Sequence, residues 1–468
     1  MDELLKASID EAGYPNKPVL SDISIEVHNS ERVMVVGSSG SGKTTLLLSV
    51  TGVIPHLLGG IVRGYSRIAG VNPLDIKGFR LIPKFTGFVL QDPDKQVAMP
   101  TPLDEVAFTL ENLGWSEGEA YKRALQYLKR FGLDGYELRW VEDLSGGQKR
   151  RLTLAASLVH EPILLFLDEP TASIDPWGLA DIRNFIRGLG EKGVVIIEHK
   201  ARYFLDLVDR VIALSNGRIA GVWDRGDIDE SVLKRVRELG ADVGEYVFRE
   251  RIRDAGEIVL EAQGLKVGYK GGFALSVEDF YVRRGEVVAL VGPNGGGKTT
   301  LLKTLAGIIK PFEGEIRTKG TRFYMPQHPD YMFLFNSVGR EVEEVKKATG
   351  VDITSLGPEF SWVSRVLDRS PYKLSHGQRR WLAFGIAMGY NASLYLLDEP
   401  TTGMDVRLYS SLGRLLERIS SRAGVVVATH DIRVIAEYTD RVYMVSDGKA
   451  WEADREYVVR LLDKAWRG

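Results

Sequence analysis

Short apolar runs recur along the chain, and each ends at a glycine-rich turn or at a pair of acids. Val33-Met34-Val35-Val36 and Val287-Val288-Ala289-Leu290-Val291 run into glycine-rich turns. A helical stretch follows each turn, from Lys43 to a stop at Gly52 and from Lys298 to a stop at Gly307. Ile163-Leu164-Leu165-Phe166-Leu167 and Leu394-Tyr395-Leu396-Leu397 are apolar throughout, the pattern of strands buried on both faces, and both stop at Asp-Glu. Val211-Ile212-Ala213-Leu214 with the turn Asn216-Gly217 is another strand. Strand-like runs alternating with helical ones predict an α/β fold with a largely parallel sheet.

The pattern occurs twice. Gly37, Ser38, Ser39, Gly40, Ser41, Gly42, Lys43, Thr44 and Thr45 are matched by Gly292, Pro293, Asn294, Gly295, Gly296, Gly297, Lys298, Thr299 and Thr300. Leu144-Ser145-Gly146-Gly147-Gln148 returns as Leu374-Ser375-His376-Gly377-Gln378, and Leu167-Asp168-Glu169-Pro170-Thr171 as Leu397-Asp398-Glu399-Pro400-Thr401. Ser145 precedes Asp168 by the interval that separates Ser375 from Asp398. The chain therefore divides into a first domain over 1–228, a charged stretch over 229–256 that reads as helix or solvated linker, and a second domain over 257–468.

Composition narrows the chemistry. The 468 residues carry 61 Lys+Arg against 63 Asp+Glu, a formal charge of −2, so no overall basic field points to nucleic acid. No cysteine is present, which removes disulfides, thiolate zinc sites and cysteine-ligated iron–sulfur clusters. The acidic start Met1-Asp2-Glu3-Leu4-Leu5-Lys6 is unlike a secretory signal, and no apolar run is long enough to span a bilayer, so a soluble cytoplasmic chain is expected.

A strand, a glycine-rich turn and a helix in that order form a phosphate cradle. Glycines let backbone N–H groups converge on phosphate oxygens, and the helix N-terminus adds unsatisfied donors. Lys43 and Lys298 then reach β- and γ-phosphates of ATP, with the Thr44 and Thr299 hydroxyls on Mg²⁺. At the strand ends, Asp168 and Asp398 suit the hydrated metal. Glu169 and Glu399 suit the water that attacks the γ-phosphate.

Taken together, these residues resemble the nucleotide-binding subunits of the ABC ATPase superfamily, whose signature is Leu-Ser-Gly-Gly-Gln, and the resemblance covers nearly the whole chain twice. It implies in each domain a parallel core sheet, an antiparallel β subdomain and a helical signature subdomain. It also implies a head-to-tail pseudo-dimer, here within one chain and so competent as a monomer. By the same resemblance Gln91 and Gln327 contact metal and water, and His199 and His430 are switch histidines on the γ-phosphate. Ser145, Gly146, Gly147 and Gln148 close on the ATP held by Lys298, and Ser375, His376, Gly377 and Gln378 on the ATP held by Lys43. Tyr14 and Tyr269, equally far ahead of their loops, stack on adenine, and Asp175 and Asp405 take the inter-domain aspartate position. His376 replaces the first signature glycine, a departure by which the site around Lys43 either closes less well or gains an imidazole donor to the phosphate.

The segment from Gln91 to Gly114 and the run Glu198-His199-Lys200 resemble the ATPases of energy-coupling-factor importers for vitamins and transition metals. That resemblance implies a motor peripheral on the cytoplasmic face of the membrane. Its partners would be integral membrane transporter subunits, a transmembrane coupling protein and a substrate-capture protein, with Met99, Phe108, Met332, Phe333 and Phe335 lining the docking groove. The alternative is a soluble tandem ABC ATPase acting on the ribosome in translation. The recycling branch of that class carries an iron–sulfur domain, against which the lack of cysteine weighs, and the other branch has a longer, more basic linker.

Overall fold

The computed structural model describes residues 3–172, 174–244, 246–251, 256–269, 272–402, 404 and 406–467. Two compact units divide the chain, Met1–Ile174 with Gly178–Gly244, and Asp175–Trp177 with Glu245–Gly468.

In the first unit a six-stranded sheet runs in the order Thr86–Val89, Leu164–Asp168, Gly193–Ile197, Arg32–Val36, Arg210–Ser215, Arg218–Asp224. All neighbours are parallel except the last, which folds back as an antiparallel edge. The central strands are buried along their whole length, which is why they read as continuous Val, Ile and Leu runs rather than as alternating ones. A separate antiparallel sheet, ordered Lys17–His28, Glu3–Tyr14, Ile61–Ile68, shares one core with the helix Lys43–Val50 and the central sheet, through Leu5, Ile9, Val33, Leu46, Leu47 and Phe166. The helices Pro102–Asn112, Glu117–Arg130 and Gly146–Leu158 form the helical part.

The second unit repeats the plan with one change. Its antiparallel strands Glu313–Thr318, Ile258–Gly268 and Ala274–Arg283 join the core sheet through Lys449–Ala453, giving nine strands in one sheet. The sheet continues through Arg441–Ser446, Val287–Val291, Gly424–Ala428, Leu394–Asp398 and Arg322–Met325. The C-terminal helix Arg455–Arg467 packs in this unit through Val458, Leu462 and Trp466. The expected α/β class with parallel core, antiparallel part and helical part is present in both units.

The charged stretch after residue 228 is divided between the units. Asp229 caps a helix, Glu230–Glu238, whose Val236 is buried, and the residues to Gly244 belong to the first unit. Beyond it Arg249 N–H donates to Ala436 O, and Arg251 pairs with Asp440, both in the second unit.

Among the described residues no helix is long and apolar enough to cross a membrane.

Candidate functional site

The first glycine-rich turn leaves strand Arg32–Val36 and enters the helix at Lys43. Gly42 caps that helix at φ +106°, in the left-handed region, and a Cβ there would strike Leu20 at 2.7 Å. Gly40, at φ +77°, has open space where a Cβ would be, so the backbone is bare on that side. The Lys43 ammonium donates to Gly37 O and Ser38 O, each at 2.9 Å, and is buried with Ser41 and Thr45. The second turn is built alike: Gly297 caps at φ +103°, and Lys298 Nζ donates to Gly292 O at 2.7 Å and Pro293 O at 3.1 Å.

Each acidic pair stands at the end of a buried parallel strand beside its turn. In the first unit Thr44 Oγ1 donates to Asp168 Oδ2 at 3.1 Å, and in the second Thr299 Oγ1 donates to Asp398 Oδ2 at 2.8 Å. Glu169 and Glu399 both adopt left-handed backbone, φ +45° and +44°, a conformation that non-glycine residues avoid. Their amides are held by the neighbouring strand, Glu169 N–H to Ile197 O and Glu399 N–H to Ala428 O. Strain held in place by the sheet at both glutamates is what a functional position looks like.

Gln91 Nε2 donates to Glu169 Oε2 at 2.7 Å, and Glu169 Oε1 lies 3.6 Å from His199 Nδ1. His430 Nδ1 lies 3.1 Å from Glu399 Oε1, and the Trp466 ring packs against His430. Gln327 is anchored by its carbonyl to Arg380, whose guanidinium also holds Glu399 O. Burial, and then repulsion from Glu169, push Asp168 up to about 6, and burial raises Asp398. Burial acts to raise Glu169 too, but His199, Lys43 and Lys200 outweigh it and hold Glu169 down at about 2.

Ser145 and Gln148 form a reciprocal capping box at the start of helix Gly146–Leu158, and Ser375 and Gln378 do the same for helix His376–Gly389. The signature hydroxyls thus serve as helix caps, while Gly146 and Gly147 have open space beside them. Tyr14 ends its strand half-buried, and Tyr269 is exposed just after its own strand. Asp175, grouped with the second unit, accepts a 2.6 Å hydrogen bond from the Asn294 amide in that unit's turn. Asp405 and the side chain of His376 lie outside the described residues.

Several contributors escaped the sequence reading. Glu198, fully buried, accepts from Thr171 Oγ1 at 2.5 Å and from the amides of His199 and Lys200. The Leu239 carbonyl accepts from Ser38 N–H at 3.1 Å, and Asp242 N–H donates to His199 O at 2.7 Å, so the charged stretch holds two loops of the first site. Nothing local in the sequence marks Leu239 or Asp242. Tyr324 donates to Asp398 Oδ2, and here a signal existed, since Tyr324 and Phe88 precede Gln327 and Gln91 by the same interval.

The residues present fit a nucleotide phosphate and a hard divalent cation. Ser41 Oγ, His199 Nε2 and Asp398 Oδ1 are buried polar atoms without a protein partner, and hydroxyl plus carboxylate oxygen is the donor set that Mg²⁺ takes.

Comparison with known proteins agrees with this geometry. The model of the ABC transporter family matches residues 20–172 and 275–402. A protein assigned as an ABC transporter ATP-binding protein in Sulfurisphaera tokodaii is 35% identical, covering 96% of this chain and 97% of its own. One assigned as the HMP/thiamine import ATP-binding protein YkoD in Bacillus subtilis is 31% identical over 95% of this chain and 90% of its own. Among solved structures, a model of ribosome-bound archaeal Pelota and ABCE1 contains a chain matched at TM-score 0.72 and 23% identity, covering 97% of this chain and 80% of that one.

That match, spanning both units, corrects the expectation of an energy-coupling-factor importer motor docked on a transmembrane coupling protein and a substrate-capture protein: the structure matched along the whole chain is of a ribosome-bound protein. Of the five residues expected to line the docking groove, Phe333 belongs to the second unit's core at 6% exposed and Met332 packs on that core, while Met99 and Phe335 are half-buried and Phe108 is 39% exposed. Two family matches in tandem, and a relative alike over nearly its full length, establish that this chain belongs to the ABC transporter family, as a tandem ATPase that binds and hydrolyses ATP.

Proposed function

We propose that the chain is a two-site ATP-driven engine that works in the cytoplasm on a ribosomal partner. The observation that carries the engine is the doubled set of lysine and hydroxyl at a helix start with aspartate, glutamate and histidine at the ends of neighbouring strands. What supports the ribosomal partner is likeness of fold along both units.

Lys43 and Lys298 would leave their backbone carbonyls for phosphate oxygens, with the bare amides of each turn as further donors. Thr44 and Asp168 in the first site, and Thr299 and Asp398 in the second, would hold Mg²⁺, which would supply neutralising charge at the phosphate oxygens. Glu169, held ionised, would accept a hydrogen bond from the attacking water and orient it. With so low a pKa it is better suited to aligning the water than to keeping its proton. Gln91 occupies Glu169 Oε2 and leaves Oε1 beside His199, whose Nε2 is available to a γ-phosphate oxygen. In the second site Glu399, with His430 Nδ1 3.1 Å from its Oε1, would align the water. Ser145, Gly146 and Gly147, with Ser375 and Gly377, stay as proposed phosphate donors, and Tyr14 and Tyr269 as proposed adenine contacts.

The test is sedimentation of the Glu169→Gln, Glu399→Gln double variant with ATP, against ribosomes and against membrane vesicles from the same cells. ATP-dependent recovery with ribosomes is expected. Recovery on vesicles with none on ribosomes overturns the ribosomal partner and leaves the ATPase standing.

A further inference from the structure

Both sites carry the same lysine, threonine, aspartate, glutamate and histidine, and besides the difference at His376 they differ in what packs behind these groups. One such position lies on the strand preceding each glutamine, where the first unit has Phe88 and the second Tyr324. Phe88 is committed to apolar stacking, its ring 5.1 Å from that of Phe166 and nearly parallel to it. Tyr324 instead sends its hydroxyl 3.1 Å to Asp398 Oδ2.

The consequence is a different hold on the two aspartates. Asp398 Oδ2 accepts from both Thr299 and Tyr324, two donors on one oxygen, while Oδ1 is buried without a partner. That fixes the rotation of the carboxylate and leaves one oxygen for a ligand. Asp168, among the described residues, takes its side-chain hydrogen bonds from Thr44 alone, spread over Oδ2 at 3.1 Å and Oδ1 at 3.4 Å. Burial, and then the charge of Asp398, raise the Tyr324 phenol well above its ordinary value, so it stays a donor throughout the physiological range.

We propose that Tyr324 is a positioning residue of the second site, orienting Asp398 to hold a divalent cation, and that the first site lacks this support. The inference rests on the reading above that Thr299 and Asp398 hold the cation. Partners of this kind orient metal-binding carboxylates, and their loss weakens metal affinity about 10–100-fold.

The experiment uses the full-length chain with Mn²⁺ as the probe and a non-hydrolysable ATP analogue at saturation, free Mn²⁺ being read by electron paramagnetic resonance. A Lys43→Ala background reports the second site and a Lys298→Ala background the first. Tyr324→Phe, which keeps the ring, is expected to raise the Mn²⁺ Kd about tenfold or more in the first background. It should leave the Kd unchanged in the other, where the first site serves as the control for folding. An unchanged Kd in both overturns the role of Tyr324 while leaving the metal reading intact. Equal weakening in both overturns it as a global effect. Absence of Mn²⁺ binding in either parent background overturns the metal reading itself, and this inference with it.

Discussion

Gln91 Nε2 and Glu169 Oε2 are joined by a 2.7 Å hydrogen bond between the loop after one parallel strand and the end of its neighbour. The bond ties the glutamine to the carboxylate proposed to align water, so removing either carboxylate should be felt at one site only. Glu169→Gln and Glu399→Gln are each expected to cut turnover at their own site by roughly 10²–10⁴-fold. Phosphate release measured in Lys298→Ala and Lys43→Ala backgrounds separates the two. Full activity in either substituted site removes that glutamate from the reaction.

The grip of the inter-unit stretch on the first phosphate loop can be loosened at one residue. Gly240 sits at φ +96°, and a Cβ there would meet Ser38 Cβ at 2.7 Å. Gly240→Val should therefore push Leu239 O off the Ser38 amide and weaken ATP binding at the first site, at a cost of about 1–3 kcal/mol. Equilibrium binding in the Lys298→Ala background checks this. Gly226→Ala, with open space around it, should bind as the parent does.

Glu198 is a buried acceptor for four donors, one hydroxyl and three amides. Glu198→Ala strands them and is expected to destabilise the first unit by roughly 2–5 kcal/mol. Glu198→Gln keeps the oxygen that serves the amides of His199 and Lys200 and should lose less. Denaturant unfolding midpoints of the two variants give the order.

His160 supplies a pH dependence remote from the ATP sites. Burial, against the opposing Thr86 carbonyl 3.1 Å from Nε2 and assisted by Lys192, lowers its pKa from the ordinary 6.5. The folded chain thus binds this proton less readily than the unfolded chain. Stability is retained above the unfolded pKa, falls as pH drops through it, and levels off below the folded value. Thermal midpoints between about pH 7.5 and pH 5 should decline less in His160→Gln than in the parent. Parallel curves would show that His160 does not titrate in this window.

Much of the fold was legible because its signals are local. A glycine-rich turn between a Val-rich strand and a lysine-led helix needs only consecutive residues, and so does a buried strand ending in Asp-Glu. The repeated order of Lys43, Ser145 and Asp168 in Lys298, Ser375 and Asp398 carried the tandem architecture and the family for the same reason. The partner was not legible. Apolar residues such as Phe333 carry no mark of facing inward or outward, and packing put that ring in the core.

What the sequence determined by itself, then, is the chemistry that neighbours in the chain perform together: two phosphate loops, two acidic strand ends and an α/β frame to hold them. What only the tertiary structure decided is which distant groups support that chemistry. Leu239 reached Ser38, Asp242 reached His199, and Tyr324 reached Asp398 where Phe88 stacked on Phe166 instead. The physical reason is that a hydrogen bond between residues far apart in the chain exists only once strands have paired and helices have packed, and no local pattern of residue types records which donor will arrive.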